Sequence, residues 1–437
     1  MATALCWTSA TLALLASIAG SAQAQDADQL FDDAVLHEVR LSLNADDWQH
    51  LQSTFQENTY YPADVTWKGV RVRNVAIRSR GSASRSAEKP GLRVDIDRYV
   101  SDQRFLGLKA FVLDNATQDP SMMKEPLAMR LFAHMGLHAP REAFARLYVN
   151  EKYQGLYVIV ESIDEDFVSR VYSSSANDGE RAAERDGVLF EFQHTSPYYF
   201  GYPGPELEHY AAMFEPETHE KDSLETLYRP FSTMARLINQ ASDSELVEVV
   251  SPYLDVVQWI RYVAVQSFLS ELDGMLGFAG MNNFYLYRFQ GSTVSQVIPW
   301  DSDQSFVDAW QSIWTRWDEN VLMRRAMKNP ELRALYLDTL RRAAAFAASA
   351  DEDDPRGWLE RQVERVFEQI RSAAQADTTK PHSNDEFLAE VARLREFART
   401  RSAFVDCEVE NETSGRDTAL CGRMIERREP KLLPADR

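Results

Sequence analysis

The chain has 437 residues, of which 44% are hydrophobic and 26% charged. That length is sufficient to bury the core of a two-lobed enzyme. The absence of low-complexity tracts and internal repeats excludes a disordered chain or a solenoid. The 67 acidic residues exceed the 47 basic ones and give a formal net charge of −20. Such a surface repels phosphate backbones, so we expect no nucleic-acid partner.

Residues 1–24 are predicted to be a cleavable signal peptide. An apolar run over residues 11–20 precedes Ala-Gln-Ala at 22–24, which is the small-x-small pattern of a cleavage site. The basic region that normally precedes the run is weak, since no Lys or Arg comes before Arg40. The run is too short to cross a bilayer, and we predict no transmembrane segment elsewhere. The sequence therefore favours a secreted or periplasmic protein, with an uncleaved amphiphilic anchor as the alternative.

The first part of the chain is dominated by strand signals. An apolar-polar alternation slips by one residue at Asn74, and helices are predicted to begin near Asn44 and to extend from Asp119 to about Met135. We expect a β-rich N-terminal lobe over residues 25–165. Strands are predicted at residues 35–43, 70–78, 92–96, 143–149 and 156–161.

From about Leu224 onwards the pattern becomes helical. A second hairpin, at residues 284–289 and 294–299, lies among the predicted helices. A β-rich half that precedes a helix-rich half is an α+β arrangement of two lobes. We place the crossing between the lobes near residues 162–190 and the C-terminal lobe at 166–405. Helical segments are predicted at residues 255–270, 321–376 and 384–404.

The remaining residues, 406–437, are predicted to form a C-terminal tail. Cys6 would be removed with the signal peptide, which leaves Cys407 and Cys421. These two residues could form a disulfide that closes a loop of 14 residues, or remain free thiols. Their spacing does not indicate a zinc site.

The densest polar cluster in an otherwise apolar region lies around the second predicted hairpin. Asp273 follows a helix, Asn283 precedes the first strand, and Asp301 follows the second strand, so the hairpin brings Asn283 and Asp301 close together. Amide and carboxylate oxygens suit Mg²⁺ or Mn²⁺, with phosphates as further ligands. A neighbouring carboxylate could orient an attacking hydroxyl. Each segment is also an ordinary turn former, so the residues alone leave both interpretations open.

Four ordered segments resemble the motifs of the CotH family, over roughly residues 35–400. The segments are Arg-Gly-Ser-Ala-Ser-Arg at 80–85 with the later Lys89 and Arg93, the Asp-Pro helix at 113–125, the hairpin at 149–157, and the cluster that ends in Trp-Asp-Ser-Asp at 300–303.

This resemblance implies a two-lobed atypical protein-kinase-like fold. It further implies an enzyme that uses ATP with Mg²⁺ or Mn²⁺ to phosphorylate Ser or Thr of an envelope or extracellular protein, as spore-coat members of the family do. Asp273 would be the catalytic residue, and Asn283 and Asp301 would hold the metal. The alternatives are a surface adhesin or envelope scaffold without turnover, and a metal-dependent phosphohydrolase.

The resemblance also implies a nucleotide-binding set in the N-terminal lobe. Lys89 or Arg93 would contact the phosphates, and Glu125 would pair with that cation. From the residues alone, Lys89 could be a solvated loop charge, Arg93 an exposed strand position and Glu125 a helix N-terminal charge. Glu161 could line the site, but a buried structural hydrogen bond suits it better. Asn282 stands where many members carry His, and the usual kinase motifs GxGxxG, His-Arg-Asp and Asp-Phe-Gly are absent from the sequence.

Overall fold

The computed structural model describes residues 25–172, 186–416 and 421. The predicted signal peptide lies outside these residues. Among them, no helix is both long enough and apolar enough to cross a membrane.

Within the described residues, the N-terminal region contains seven strands. They are β1 (His37–Leu43), β2 (Tyr61–Trp67), β3 (Val70–Arg80), β4 (Gly91–Asp95), β5 (Ala110–Asp114), β6 (Glu142–Val149) and β7 (Lys152–Glu161). They form a closed barrel in the order β1–β2–β3–β4–β5–β7–β6, in which β1 pairs in parallel with β6 and the other neighbours are antiparallel. Alternate side chains such as Val39 and Leu41 fill the interior. Closure leaves no strand edge exposed.

The predicted slip in the alternation at Asn74 is a β-bulge. Val75 pairs with Ala63 and Val72 with Val65, so two residues of β3 stand opposite Asp64. Asn74 has a φ of 56°, and its backbone N–H donates to Asp64 Oδ1 at 3.1 Å. The bulge moves the following apolar residues of β3 onto the buried face.

Helices also lie in this part of the chain: α1 (Ala27–Leu30), α2 (Ala45–Ser53), α3 (Lys124–His134) and α4 (Glu165–Tyr172). Helix α3 begins five residues later than predicted. The carboxylate of Asp119 accepts hydrogen bonds from the backbone N–H groups of Met123 and Lys124, and so caps the helix from outside. Pro126 lies in the first turn, where its missing N–H has no intrahelical partner to lose.

The C-terminal region combines a second sheet with helices. In the described part of the chain this sheet has four strands in the order β11–β10–β8–β9: β8 (Val188–Phe192), β9 (Phe214–Pro216), β10 (Phe284–Arg288) and β11 (Ser295–Pro299). The helices are α5 (Leu207–Ala211), α6 (Leu224–Gln240), α7 (Leu246–Val250), α8 (Val256–Leu269), α9 (Val321–Ala326), α10 (Pro330–Ala347), α11 (Trp358–Ala376) and α12 (Asn384–Ser414). The prediction of an α+β fold with a β-rich N-terminal and a helix-rich C-terminal region is confirmed.

Helix α8 is the rigid support of the second sheet. Asp255 caps its N-terminus by accepting from the backbone N–H of Gln258, and Trp259 and Val263 are fully buried. The buried Arg401 of α12 donates to the carbonyl oxygens of Ser267 and Phe268 in the last turn of α8. A cation at this end satisfies carbonyl groups that the helix leaves unpaired and complements its dipole.

Helix α12 is longer than predicted, because it continues beyond residue 404 to Ser414. Val405 and Val409 extend its buried face, and Cys407 forms a disulfide with Cys421. The predicted start of the tail at residue 406 therefore falls inside a helix.

Hydrogen bonds also join the C-terminal helices and their connecting loop to the barrel. The hydroxyl of Tyr153 on β7 donates to the carbonyl of Ala373 on α11, and that of Thr379 donates to the carbonyl of Gln154. These contacts bring the loop between α11 and α12 against the β6–β7 hairpin.

Candidate functional site

The hairpin of β10 and β11 positions two of the predicted site residues. Phe284 pairs with Pro299, so Asn283 and Asp301 lie where the two strands end side by side. Asn283 has a φ of 59° and Asp301 a φ of 48°. Left-handed backbone is uncommon for residues other than glycine, and such strain often accompanies functional sites.

Asp273 lies against this end of the hairpin. Its Oδ2 accepts hydrogen bonds from the side-chain amides of Asn282 at 3.0 Å and Asn283 at 3.1 Å, and its backbone carbonyl accepts a second one from Asn283. Burial raises the pKa of Asp273, whereas the two amides oppose that shift. Its charge contributes to the raised pKa of Asp301. The structure thus brings Asp273, Asn283 and Asp301 together, while their roles remain predictions.

Asp301 belongs to a wider group of buried and half-buried carboxyl groups. Burial, followed by the charge of Asp114 at the end of β5, raises the pKa of Asp301 to about 6. Burial and then Asp301 raise the pKa of Asp303 well above its ordinary value. These carboxyl groups therefore repel one another when ionised, and their environment opposes the ionisation of all of them at once.

Glu125 on α3 and Glu142 on β6 complete this group, which we call the carboxyl cluster: Asp114, Glu125, Glu142, Asp301 and Asp303. Burial raises the pKa of both glutamates, and each also feels the charge of Asp301. Each also affects the ionisation of the other. Within the described residues, the carboxyl oxygens of Glu142 are buried and have no hydrogen-bond partner.

Arg80 is a cation beside the carboxyl cluster. Its Nη1 lies 3.4 Å from Asp114 Oδ2, and its guanidinium carbon lies 5.3 Å from the centre of the Trp300 ring. Asp301 also interacts electrostatically with Arg80. One arginine does not balance five carboxyl groups.

The residues fit a divalent cation that is shared with phosphates. The described part of the chain contains no group of three His, Cys, Asp or Glu side chains arranged to hold a metal by themselves. Magnesium is commonly held by one or two carboxylates, with phosphate and water oxygens completing its shell. Asp301 and Asn283 could supply such a partial set, and a cation there would offset the repulsion in the carboxyl cluster.

The ion-pair partner of Lys89 is Asp377, which is not a member of the carboxyl cluster. Its ammonium lies 2.8 Å from Asp377 Oδ2, and both side chains are fully buried. Asp377, in the loop after α11, also accepts from the backbone N–H groups of Leu156 and Thr379. Among the described residues no ion pair joins Glu125 to Lys89 or Arg93, since Lys89 pairs with Asp377 of the C-terminal loop and Arg93 lies 4.0 Å from Asp95.

Arg93 lines a cavity of about 220 Å³ that adjoins the cluster. The cavity lies between β3, β4 and β5 of the barrel and the second sheet. Arg80 and Trp300 belong to its lining, and Arg80 also interacts electrostatically with Asp301. Its lining residues are Tyr60, Arg78, Arg80, Arg93, Val112, Ser162, Ile163, Glu191, Glu217, Tyr285 and Trp300.

Glu161 is structural, in agreement with the interpretation that the sequence favoured. Its carboxylate is buried and accepts hydrogen bonds from the guanidinium groups of Arg141 and Arg170. Both of its oxygens are therefore occupied away from the cavity.

Several residues of the site were not identified from the sequence. Asp114 could have been found, because it ends a strand within a segment that resembles the family. Glu142 looks like an ordinary polar residue at the start of a strand, and Glu217 and Asp377 lie outside every recognised motif. No local signal in the sequence connects these three residues to the site.

Comparisons with known proteins agree with the resemblance seen in the sequence. A family model described as CotH kinase protein matches residues 77–405. The inner spore coat protein H of Bacillus subtilis (strain 168) is 22% identical over 382 residues, which cover 84% of this chain and 95% of the relative.

Among solved structures, the Helicobacter pylori proinflammatory kinase CtkA matches 77% of this chain and 94% of its own, with 10% identity and a TM-score of 0.27. That similarity is too low to support a conclusion about this protein. The family match, by contrast, covers well over half of the chain. The chain therefore belongs to the CotH kinase protein family and is a kinase-like protein.

Proposed function

We propose that this protein is an exported protein kinase that transfers the γ-phosphoryl group of ATP to a Ser or Thr hydroxyl of an envelope or extracellular protein. The observation that carries the proposal is the convergence of Asp273, Asn283 and Asp301 beside the incompletely neutralised carboxyl cluster.

Asp273 is proposed as the catalytic residue. The substrate hydroxyl oxygen attacks the γ-phosphorus, the bond from that phosphorus to the bridging oxygen of the β-phosphate breaks, and ADP leaves. The hydroxyl proton passes to Asp273. A carboxylate with a raised pKa is a better proton acceptor than an ordinary aspartate. The amides of Asn282 and Asn283 fix its orientation, and phosphoryl transfer depends mainly on such alignment and on charge.

Asn283 and Asp301 are proposed to hold Mg²⁺ or Mn²⁺. When bound, the ion would neutralise charge on the phosphates. Arg80, which interacts with Asp301, would add positive charge on the side of the cavity.

The three predicted nucleotide-binding residues would have different roles. Arg93 would contact the part of the nucleotide that enters the cavity, because it lines that cavity. Lys89 would act indirectly, by holding the loop before β4 against Asp377. Glu125 would contribute negative charge next to the metal site through its pair with Glu142.

Export rests on the N-terminal segment of the sequence, and the disulfide between Cys407 and Cys421 agrees with an oxidising compartment. We propose that the chain crosses near residues 162–190 from an N-terminal lobe at 25–165 to a C-terminal lobe at 166–405. The segment 406–437 would then follow as the tail.

The test is incorporation of radiolabelled phosphate from ATP with Mn²⁺ into the protein itself or a generic protein substrate. Wild type is expected to incorporate label, Asp301→Ala to lose it, and Asp318→Ala, a change at an exposed loop residue, to retain it. Equal labelling by wild type and Asp301→Ala would overturn the proposal.

Two other functions predict different results in the same assay. Release of free phosphate without labelling would indicate a phosphohydrolase. The absence of both labelling and a nucleotide-dependent thermal shift would indicate a non-catalytic adhesin or scaffold.

A further inference from the structure

The segments that carry Asp273 and Asp301 lie side by side beyond the ends of α8 and β11. The backbone N–H of Leu272 donates to the carbonyl of Gln304 at 3.2 Å. Asp273 itself lies between α8 and β10, in a stretch of the chain without helix or strand. Its position relative to Asp301 therefore depends on contacts between the two segments rather than on regular secondary structure.

One buried carboxylate bridges these segments. Glu271 is 8% exposed, and Ser305 is fully buried in the segment that follows Asp301. Glu271 Oε1 accepts from the backbone N–H of Asp273 at 2.9 Å, and Glu271 Oε2 accepts from the hydroxyl of Ser305 at 2.5 Å. A single side chain thus connects the proposed catalytic residue to the segment of the proposed metal ligand.

The charge of Glu271 is not balanced by a cation. Within the residues that the structure describes, no Lys or Arg forms an ion pair with it. Burial raises the pKa of Glu271 to about 7, although the hydrogen bonds from Ser305 and Asp273 oppose that shift. The charges of Asp273 and Asp301 raise the pKa further. A buried carboxylate in this situation lowers stability, and proteins accept such a cost mainly at functional sites.

A second buried carboxylate has the same pattern of contacts elsewhere. Glu408 on α12 accepts from the hydroxyl of Ser312 at 3.0 Å and from the backbone N–H of Ile313 at 2.7 Å. Burial raises the pKa of Glu408, and the charge of Arg401 opposes that shift. Glu408 therefore fastens an irregular segment to a helix beside a cation, and it provides a matched structural reference for Glu271.

We propose that Glu271 is a positioning residue for phosphoryl transfer, which keeps Asp273 at a fixed separation from Asp301 through its bond to Ser305. This inference rests on the proposed function. Asp273 would take the hydroxyl proton and Asp301 would hold the metal that binds the phosphates, so the reacting groups align only if that separation is kept. The neighbouring amides orient the carboxyl group of Asp273, whereas Glu271 fixes its backbone.

The experiment measures initial rates of phosphate incorporation by the full chain, with Mn²⁺ and increasing ATP, at pH 8, where the carboxylate form of Glu271 predominates. Ser305→Ala removes the bridging hydroxyl and leaves the bond between Glu271 and Asp273. Its kcat is expected to fall about tenfold, because a hydrogen bond to a charged group is lost and the alignment with it. The KM for ATP should stay the same, since neither Glu271 nor Ser305 is proposed to contact the nucleotide.

Ser312→Ala is the matched control, because it removes the corresponding hydroxyl from Glu408. It should lower the melting temperature about as much as Ser305→Ala does and leave kcat unaltered. Glu271→Gln can still accept from the N–H of Asp273 and donate to the oxygen of Ser305, so it should retain more activity than Glu271→Ala.

A double-mutant cycle tests whether Glu271 and Ser305 act as one unit. Glu271→Ala should lower kcat at least as much as Ser305→Ala, and the double variant should be no less active than Glu271→Ala, since the bridge is already absent. Thermal unfolding checks the folding of each variant. If Glu271→Ala does not fold, the comparison of Ser305→Ala with Ser312→Ala still decides the question.

The outcomes separate this inference from the proposed function. An unchanged kcat in Ser305→Ala, or an equal loss in Ser312→Ala, overturns the inference even if the wild type labels its substrate. Losses that multiply in the double variant, or a higher KM for ATP at constant kcat, overturn it as well. A wild type that incorporates no label overturns the proposed function and this inference together.

Discussion

The Lys89–Asp377 ion pair and the carboxyl cluster differ in how their charges are compensated. In the first, Asp377 also accepts backbone hydrogen bonds. In the second, Asp301 and its neighbours are carboxyl groups whose pKa values are raised by burial and by one another. Asp114 interacts electrostatically with both Lys89 and Asp301.

The difference distinguishes a group that stabilises the fold from a group that could take part in the reaction. The Lys89–Asp377 pair balances its own charges, so it can stabilise the packing of the C-terminal loop against the barrel. The carboxyl cluster lowers the stability of the folded chain at neutral pH, and a cation can relieve that cost. The comparison predicts that changes in the first group affect stability and that changes in the second affect activity.

The largest effect is expected for Lys89→Met. Removing one partner of a buried ion pair leaves an uncompensated charge, and the free energy of unfolding should fall by about 3–5 kcal/mol. Urea denaturation measures this change. Lys328→Met is the matched control, because Lys328 pairs with Asp243 at the surface and such pairs contribute little. Equal effects of the two changes would contradict a structural role for Lys89.

The next effect is expected for Asp301→Asn. Phosphate incorporation should fall by about a hundredfold or more, the loss typical when a charge-stabilising group is removed. In metal-free buffer at pH 8, the melting temperature of the variant should rise above that of wild type. The folded-state pKa of Asp301, about 6, lies above the ordinary value of 3.8, so ionisation at pH 8 destabilises the folded protein. If Asp301→Asn lowered both the stability and the activity of the protein, the carboxyl cluster would not differ in role from the Lys89–Asp377 pair.

A smaller effect, dependent on pH, is expected for Glu142→Gln. The pKa of Glu142 is raised above 4.5 by burial and by Asp114 and Asp301, so the folded chain loses stability as pH rises above 4.5, where this carboxyl ionises in the unfolded chain but stays protonated in the folded one. The variant cannot ionise there. Its advantage over wild type should be negligible at about pH 4 and should grow as the pH rises above that value.

Urea denaturation in EDTA at a series of pH values tests this expectation. The comparison of variant with wild type cancels the other titrating groups. If the difference in free energy of unfolding between variant and wild type did not change with pH, the pKa of Glu142 would not be raised by the carboxyl cluster.

The smallest effect is expected for Asn282→Ala. Asp273 would lose one of its two side-chain donors and keep Asn283, so phosphate incorporation should fall several-fold rather than disappear. Asn282→His introduces the residue that many family members carry at this position and should recover part of the loss. Loss as severe as that of Asp301→Asn would show that Asn282 contributes more than orientation.

Local patterns in the sequence predicted the parts of the fold that depend on neighbouring residues. The β-bulge at Asn74, the hairpin that brings Asn283 next to Asp301, and α8 with its Asp255 cap are all encoded within short segments. Each of these segments has a periodicity or a turn signal that can be interpreted without knowing the rest of the molecule.

The partners of the charged residues could not be predicted in this way. Lys89 and Asp377 are 288 positions apart in the sequence, and nothing near either residue indicates the other. The proximity of Glu125 to Glu142 likewise depends on how α3 packs against β6. Long-range pairing is decided by tertiary packing, which short patterns do not encode.

The left-handed backbone at positions 283 and 301 has a consequence for the study of relatives. Asn and Asp tolerate that conformation better than most residues, so folding alone would favour them there even in a chain that had lost its activity. Asp273 has no such backbone requirement, since its φ is not positive. Among relatives, an acidic residue at the position of Asp273 is therefore the more informative sign that phosphoryl transfer has been retained.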